Sequence, residues 1–250
     1  MMRLALVGGE EFADGFEDVH AELLKSVGDH SRGVYLPCAA AEDGPEVVEY
    51  WCNLAIRRLS ATGAQVAAPR ITDKASANDR QNVKLLAEAD WIYLGGGKPH
   101  VALGTLSGTR VLDELTAAAQ RGVLIIGASA GAMMMCTRSF VLTQKAMDEF
   151  ERAMTKDSNA PFPSLPPLDC LNFVPNSICI PHFDQSYMRS WDDPRLLPAG
   201  FTLIGVDEQT ALVNLASVTG TWTVSGRGSV TILHSQGAPV KYHAGQQITL

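Results

Sequence analysis

A chain of 250 residues with 46% apolar and 19% charged side chains can bury a sizeable core and is too hydrophobic for global disorder. Its formal net charge is −7 and no cluster of Lys and Arg stands out, which argues against nucleic acid, whose phosphates call for such a cluster. The five cysteines (Cys38, Cys52, Cys136, Cys170 and Cys179) are odd in number and form no C-x-x-C pair, so neither a disulfide scaffold nor a zinc ribbon is expected.

The first apolar run, Leu4–Val7, breaks at once on Gly8-Gly9-Glu10-Glu11. That is too short for the apolar region of a signal peptide and reads as a buried strand. No later stretch approaches the roughly 18 consecutive apolar residues of a membrane span, so a cytoplasmic protein without a membrane partner is expected. Along the chain follow a helical pattern at Phe16–Val27, a strand at Gly33–Leu36 and a helix at Glu46–Leu59. Val47, Tyr50, Trp51, Leu54 and Leu59 recur at helical spacing in that helix. Strands at Gln65–Ala68, Trp91–Leu94 and Val123–Ile126 then alternate with helices at Asn82–Ala89 and Arg110–Gln120.

Strands that are apolar throughout, separated by helices, predict an α/β fold with a doubly wound, mostly parallel sheet. Right-handed crossovers put the C-terminal ends of the strands along one edge, where such folds carry their sites. The rhythm breaks after about residue 140. Lys156–Pro167 holds four prolines and reads as an irregular surface excursion, and no role is assigned to residues 156–176. Strand character returns at Ile178–Ile180, Thr202–Val206 and Ala211–Leu215. Thr221–Val224 and Val230–Leu233, separated by Gly226-Arg227-Gly228, predict a C-terminal antiparallel hairpin added to the sheet. No internal repeat is present, and a single domain over 1–250 is expected.

The strongest chemical signal is Gly127-Ala128-Ser129-Ala130-Gly131, directly after a buried strand and before the helix-forming run Ala130–Cys136. A G-x-S-x-G turn in that context is a nucleophile elbow: small neighbours permit the sharp turn that exposes the serine at a helix N-terminus. There the amide of Ala130 can donate to an oxyanion, helped by the helix dipole. The bland alternative is a glycine-rich turn with a capping serine. Gly95-Gly96-Gly97-Lys98, at the end of another strand, can turn backbone amides toward a substrate oxygen, or can be a plain tight turn. Of six histidines, His182 is the favoured base, because it follows the run Ile178–Pro181 and should reach the sheet edge that carries Ser129. Asp207 and Glu208, again at a strand end, can supply the acid that fixes the tautomer of the base. No H-E-x-x-H or other ligand spacing appears, so neither a metal nor another cofactor is expected.

These segments together resemble peptidase family S51, which includes cyanophycinases and aspartyl dipeptidases. The resemblance rests on Val7-Gly8-Gly9-Glu10-Glu11-Phe12, Leu94–Gly97, Gly127–Ala132, Ile180-Pro181-His182-Phe183, Gly205–Leu212 and the glycine turn within Val224–Val230, in that order over nearly the whole chain. It implies a class I glutamine amidotransferase-like (flavodoxin-like) fold, with Ser129 as nucleophile, His182 as base and Glu208 as its partner. Asp207, Asp184 and Asp148 are alternative acids. Gly97, with Gly96 beside it, and Ala130 would form the oxyanion hole.

The substrate implied is a short peptide with an aspartyl or β-aspartyl residue on the acyl side. Its carboxylate would need a cation, for which Arg189, Lys98 and His100 are the candidates. The run after His182 holds Arg189 alone rather than several arginines, a departure from the cyanophycinases. A homodimer is compatible with the family context. Two other readings stand beside this one: a non-catalytic ligand-binding domain on the same fold, and an α/β-hydrolase esterase pairing Asp207 with His234 or His243.

Overall fold

The computed structural model describes residues 2–141, 145, 166–185, 197–215 and 220–250. In the first half, β1 (Arg3–Val7), α1 (Glu17–Lys25), β2 (Arg32–Leu36), α2 (Pro45–Ser60) and β3 (Gln65–Ala67) follow the alternation read from the sequence. So do α3 (Arg80–Ala87), β4 (Trp91–Leu94), α5 (Arg110–Arg121) and β5 (Leu124–Ala128). Local chemistry sets several boundaries. The Asp79 side chain accepts from the amide of Gln81 to start α3, Thr109 accepts from Leu112 to start α5, and Gly122 ends α5 at φ 87°. A helix that the sequence reading left out, α4 (Pro99–Leu106), begins on a proline, whose fixed φ suits a first helical turn.

Among the described residues the strands form two sheets. The larger has eight strands, in which β1, β5, β4, β2 and β3 run parallel in that spatial order. Next to β1 it is extended antiparallel by β10 (Thr210–Asn214), β11 (Thr221–Gly226) and β14 (Gln247–Thr249). The smaller sheet has six strands. Its parallel centre is β6 (Cys136–Phe140), β8 (Val174–Ile180) and β9 (Thr202–Val206), flanked by β7 (Pro167–Asp169), β12 (Ser229–His234) and β13 (Val240–His243).

Helices cover both faces of the large sheet. On one face, Leu23 and Leu24 of α1 and Val48, Cys52 and Leu59 of α2 pack on Ala5, Val7 and Tyr93. On the other, Leu106 of α4, Leu115 of α5 and Met134 of α6 (Ala130–Met135) share one core with Ile204 and Ile232 of the small sheet. The two sheets are therefore joined through apolar packing on that face.

One expectation is corrected. β11 and β12 are not a hairpin: Gly226-Arg227-Gly228 carries the chain from the large sheet, where β11 pairs β10, to the small one, where β12 pairs β9. The reason lies in side-chain demand. Trp222 and Val224 are buried in the large sheet and Val230 to Leu233 in the small one, so each strand completes a different sheet. The antiparallel hairpin of the tail is instead β12 with β13. The proline-rich excursion lies outside the described residues up to 165, and its end, Pro167, opens edge strand β7, a position where its missing N–H is tolerated.

Candidate active site

The segment after β1 organises the site. Three consecutive carbonyls, of Val7, Gly8 and Gly9, accept the amides of Ser129, His182 and Gln209 at 3.0, 2.8 and 2.9 Å. One short stretch thus fixes the loops that follow β5, β8 and β9 relative to one another. Gly9 has to be glycine: it sits at φ 131°, and a Cβ there would lie 2.2 Å from Cε1 of His182.

Strain gathers at the same edge. Among the described residues seven non-glycines have positive φ; Glu10, Ser129, His182 and Gln209, at 50–52°, follow β1, β5, β8 and β9. Such conformations cost on the order of 1–3 kcal/mol each and persist where surrounding contacts over-determine them. Here the three carbonyl contacts and the packed strands supply that constraint. At the elbow itself, a Cβ on Gly127 would lie 2.5 Å from the carbonyl oxygen of Gly131, so the close turn tolerates no larger residue.

Ser129 Oγ and His182 Nε2 are 3.1 Å apart, and His182 Nδ1 lies 2.8 Å from Glu208 Oε1. With the tautomer assigned from its carboxylate neighbour, His182 donates from Nδ1 and can accept from the serine at Nε2. Glu208 is held in turn: its Oε2 accepts from Gln185 Nε2 at 3.0 Å, and its backbone amide donates to Asp184 at 2.9 Å. The alternative acids are placed differently. Asp184 serves the Glu208 backbone, and Asp207 accepts from the amide and hydroxyl of Ser229 at 2.9 and 2.5 Å. Asp148 lies outside the described residues. His182 reaches the edge that carries Ser129 from the other sheet: it and Glu208 follow β8 and β9 of the small sheet, while Ser129 follows β5 of the large one.

The amides of Gly96, Gly97 and Ala130 donate to no backbone carbonyl among the described residues. Gly96 faces Ser129, since a Cβ on it would lie 3.5 Å from that of the serine. Gly97 turns at φ 130°, and the amide of Lys98 after it is tied to Ala39 at 2.8 Å. The arrangement leaves free N–H groups next to a hydroxyl that is hydrogen-bonded to an imidazole, the combination that acyl transfer requires.

A cleft of ≈ 470 Å³ opens at Ser129 and His182. Its walls include residues that the sequence reading missed. Glu10, Glu11 and Phe12 line it from the β1 loop, and Asp43 from the segment after β2. Tyr50, Trp51 and Leu54 line it from α2. These three belong to the apolar stripe read from α2, but the face of that helix buried in the core is Val48, Cys52, Ala55 and Leu59. A usable signal was present, because apolar residues at 47, 48, 50, 51, 52, 54 and 55 exceed what one buried face needs.

Of the expected carboxylate readers, neither Lys98 nor His100 lines this cleft. Lys98 is ion-paired with Asp43 at 3.2 Å, and Arg189 lies outside the described residues. His100, on α4, does not line the cleft, and its buried Nδ1 has no partner among the described residues. Nor do the esterase candidates assemble: His234 pairs with Thr202 at 3.1 Å at the edge of the small sheet, and His243 is exposed on β13. Among the described residues no group of three His, Cys, Asp or Glu side chains is placed to hold a metal ion, and no helix is long and apolar enough to cross a membrane.

The sequence model of peptidase family S51 matches residues 4–216. A search of curated proteins found no match. Among solved structures, a peptidase from an acI-B1 Actinobacterium superimposes with a TM-score of 0.80 at 25% identity, over 100% of this chain and 97% of that one. The Listeria monocytogenes EGD-e "Putative Peptidase E Protein" gives a TM-score of 0.60 at 18% identity, over 91% of this chain and 100% of that one, a likeness of fold.

Proposed function

The chain belongs to peptidase family S51 and is a peptidase; from that premise we propose that it is a serine peptidase acting on short peptides through Ser129, His182 and Glu208. The observation that carries the reading is the continuous line from Ser129 Oγ through His182 to Glu208, at 3.1 and 2.8 Å. Ser129 Oγ attacks the scissile carbonyl carbon while its proton passes to His182 Nε2. Glu208 stabilises the imidazolium so formed without itself taking the proton. The negative charge moves to the carbonyl oxygen, which the amides of Gly97 and Ala130 receive, with Gly96 beside them. His182 then returns the proton to the departing amine as the C–N bond breaks, leaving an acyl-enzyme on Ser129. Water then attacks the acyl carbon while His182 takes its proton, and as the C–Oγ bond breaks His182 gives that proton to Ser129 Oγ, which releases the acid and restores the serine.

A cleft of ≈ 470 Å³ suits one or two residues of an unfolded peptide rather than a folded protein. The aspartyl or β-aspartyl preference that the family resemblance implies stays part of the reading: its first-choice reader, Arg189, lies outside the described residues, and Lys98 pairs with Asp43 of the cleft lining. The test is a fluorophosphonate probe on purified protein, with peptide mapping of the adduct. Ser129 should carry the label, and a labelled sample should hydrolyse no dipeptide. Labelling elsewhere, or peptide hydrolysis that survives full modification of Ser129, would overturn serine catalysis.

A further inference from the structure

Only one oxygen of the Glu208 carboxylate meets His182. Oε1 lies 2.8 Å from Nδ1 of the imidazole, and Oε2 accepts from Gln185 Nε2 at 3.0 Å. The charge in front of it orients the amide: a carboxylate accepts, so the nitrogen of Gln185 is the atom turned toward Glu208. A further contact comes from the same stretch, since Asp184 Oδ1 accepts the backbone amide of Glu208 at 2.9 Å. Base, backbone acceptor and amide donor thus stand at positions 182, 184 and 185, and all of them hold one residue of the loop after β9.

The stretch that presents them is itself fixed. The amide of His182 donates to Gly8 at 2.8 Å, that of Phe183 to Val206 at 3.1 Å, and that of Gln185 to the carbonyl of His182 at 3.0 Å. A Cβ on Gly205 of β9 would lie 2.6 Å from the ring of Phe183, so the glycine lets this turn pack directly on the strand. Gln185 therefore projects from a backbone whose place is set by β1 and β9.

The side chain of Glu208 is 24% exposed. The last torsion of a glutamate is soft, and one hydrogen bond to the imidazole leaves the carboxylate free to turn about it. A second bond, to the other oxygen, fixes the plane. That plane matters when His182 takes the proton of Ser129, because the imidazolium charge then appears against a carboxylate that must already be in place. Being neutral, the amide of Gln185 holds the acid without adding a positive charge that would disfavour the imidazolium. Gln185 itself lies outside the cleft lining.

Resting on Ser129, His182 and Glu208 as the catalytic line, we propose that Gln185 is the positioning residue of the catalytic acid, acting on the reaction through Glu208 and not on the substrate.

The experiment follows the rate at which a fluorophosphonate labels Ser129, which reports activation of the serine whatever peptide the enzyme prefers. Gln185→Met keeps the length of the side chain and removes the donor. It should slow labelling about 10-fold, the worth of one hydrogen bond to a charged group, with an unchanged melting curve. Gln185→Asn, whose donor falls short of Glu208, should lose a similar factor and serves where the Met variant does not fold. In a Glu208→Ala background there is no carboxylate to hold, and adding Gln185→Met should change the rate by less than about 2-fold. A second readout needs no reaction: the low-field proton resonance of His182 Nδ1–H, recorded with and without Gln185→Met. It should be sharp in the wild type and broadened or displaced in the variant.

Wild-type labelling in folded Gln185 variants, losses that multiply with Glu208→Ala, or a resonance indifferent to Gln185→Met would each overturn the proposal and leave serine catalysis standing. If the wild type takes no label at Ser129, serine catalysis falls instead, and the resonance alone decides whether Gln185 orders the acid.

Discussion

The two sides of the cleft are built on opposite principles. On one side every polar atom of the line Ser129, His182 and Glu208 has a partner, and the second oxygen of Glu208 is taken by Gln185. On the other, Glu10 and Glu11 line the cleft with no cation paired to them among the described residues, together with the apolar residues of α2. The first side is complete before substrate arrives, which lets it stabilise developing charge without rearrangement. The second has no counter-charge among the described residues. The contrast separates rate from selection: damage to the first should appear in kcat, damage to the second in relative affinities.

The sharpest break of that contrast is a double-mutant cycle across the complete side. Ser129→Ala and His182→Ala should each lower kcat by on the order of 10³-fold or more, and the double variant should be little worse than either, because the two act as one unit. Steady-state rates on a dipeptide, with melting curves to verify folding, provide the check. Multiplicative losses would show that serine and histidine act separately, and the hydrogen-bonded line would then be only structural.

How much of this was legible beforehand follows the same division. Ser129, His182 and Glu208 each stand in a motif at the end of an apolar strand, so pattern alone brought them to one edge. What pattern could not show is that β8 and β9 belong to a second sheet, because a buried parallel strand reads the same whichever sheet it joins. The hairpin at 226–228 was misplaced for a related reason: a glycine turn between two apolar runs does not say that each run completes a different sheet. Glu11 and Trp51 were missed because their roles depend on which way a loop and a helix turn. Glu10 and Glu11 looked like the end of a strand, and Trp51 like core. Lys98 sits where a carboxylate reader was expected, but Asp43, distant in sequence, takes its charge.

Beneath the incomplete side lies an aromatic floor that should be as sensitive to charge as the wall above it is tolerant. His20 packs against Phe12, Phe16 and Tyr93, and burial lowers its pKa from 6.5 to about 4. The unfolded chain therefore binds more protons than the folded one between these values, and stability rises with pH across the window. It is complete above about pH 6.5 and falls as pH drops toward about 4, by about 3 kcal/mol for a shift of that size. Urea unfolding at pH 7 and pH 4.5, for wild type and His20→Gln, isolates this contribution from the titrating acids. The wild type should lose more stability than the variant over that interval. Equal losses would mean that His20 is protonated in the folded protein, and that the floor is more polar than its packing indicates.

The finest resolution of the contrast comes from two acids one residue apart. Glu208 reaches His182 at the end of β9, while Asp207 turns to the amide and hydroxyl of Ser229 at the start of β12. Each keeps the shape of its side chain in the amide variant but loses its charge. Glu208→Gln should lower kcat by about 10- to 100-fold, since the imidazolium loses its stabilising carboxylate, and should leave the melting temperature nearly unchanged because Gln can still accept at Oε1. Asp207→Asn should do the reverse. It weakens two hydrogen bonds to a charged acceptor at a buried position, worth about 1.5–3 kcal/mol each, and so should cost stability first. Its effect on kcat should be secondary, through movement of the neighbouring Glu208. The two variants compared side by side decide which acid belongs to the complete side of the cleft. If Asp207→Asn lost more turnover than Glu208→Gln at equal folded fraction, the partner of His182 in the working enzyme would be Asp207, and the loop after β9 would have to turn by one residue to present it.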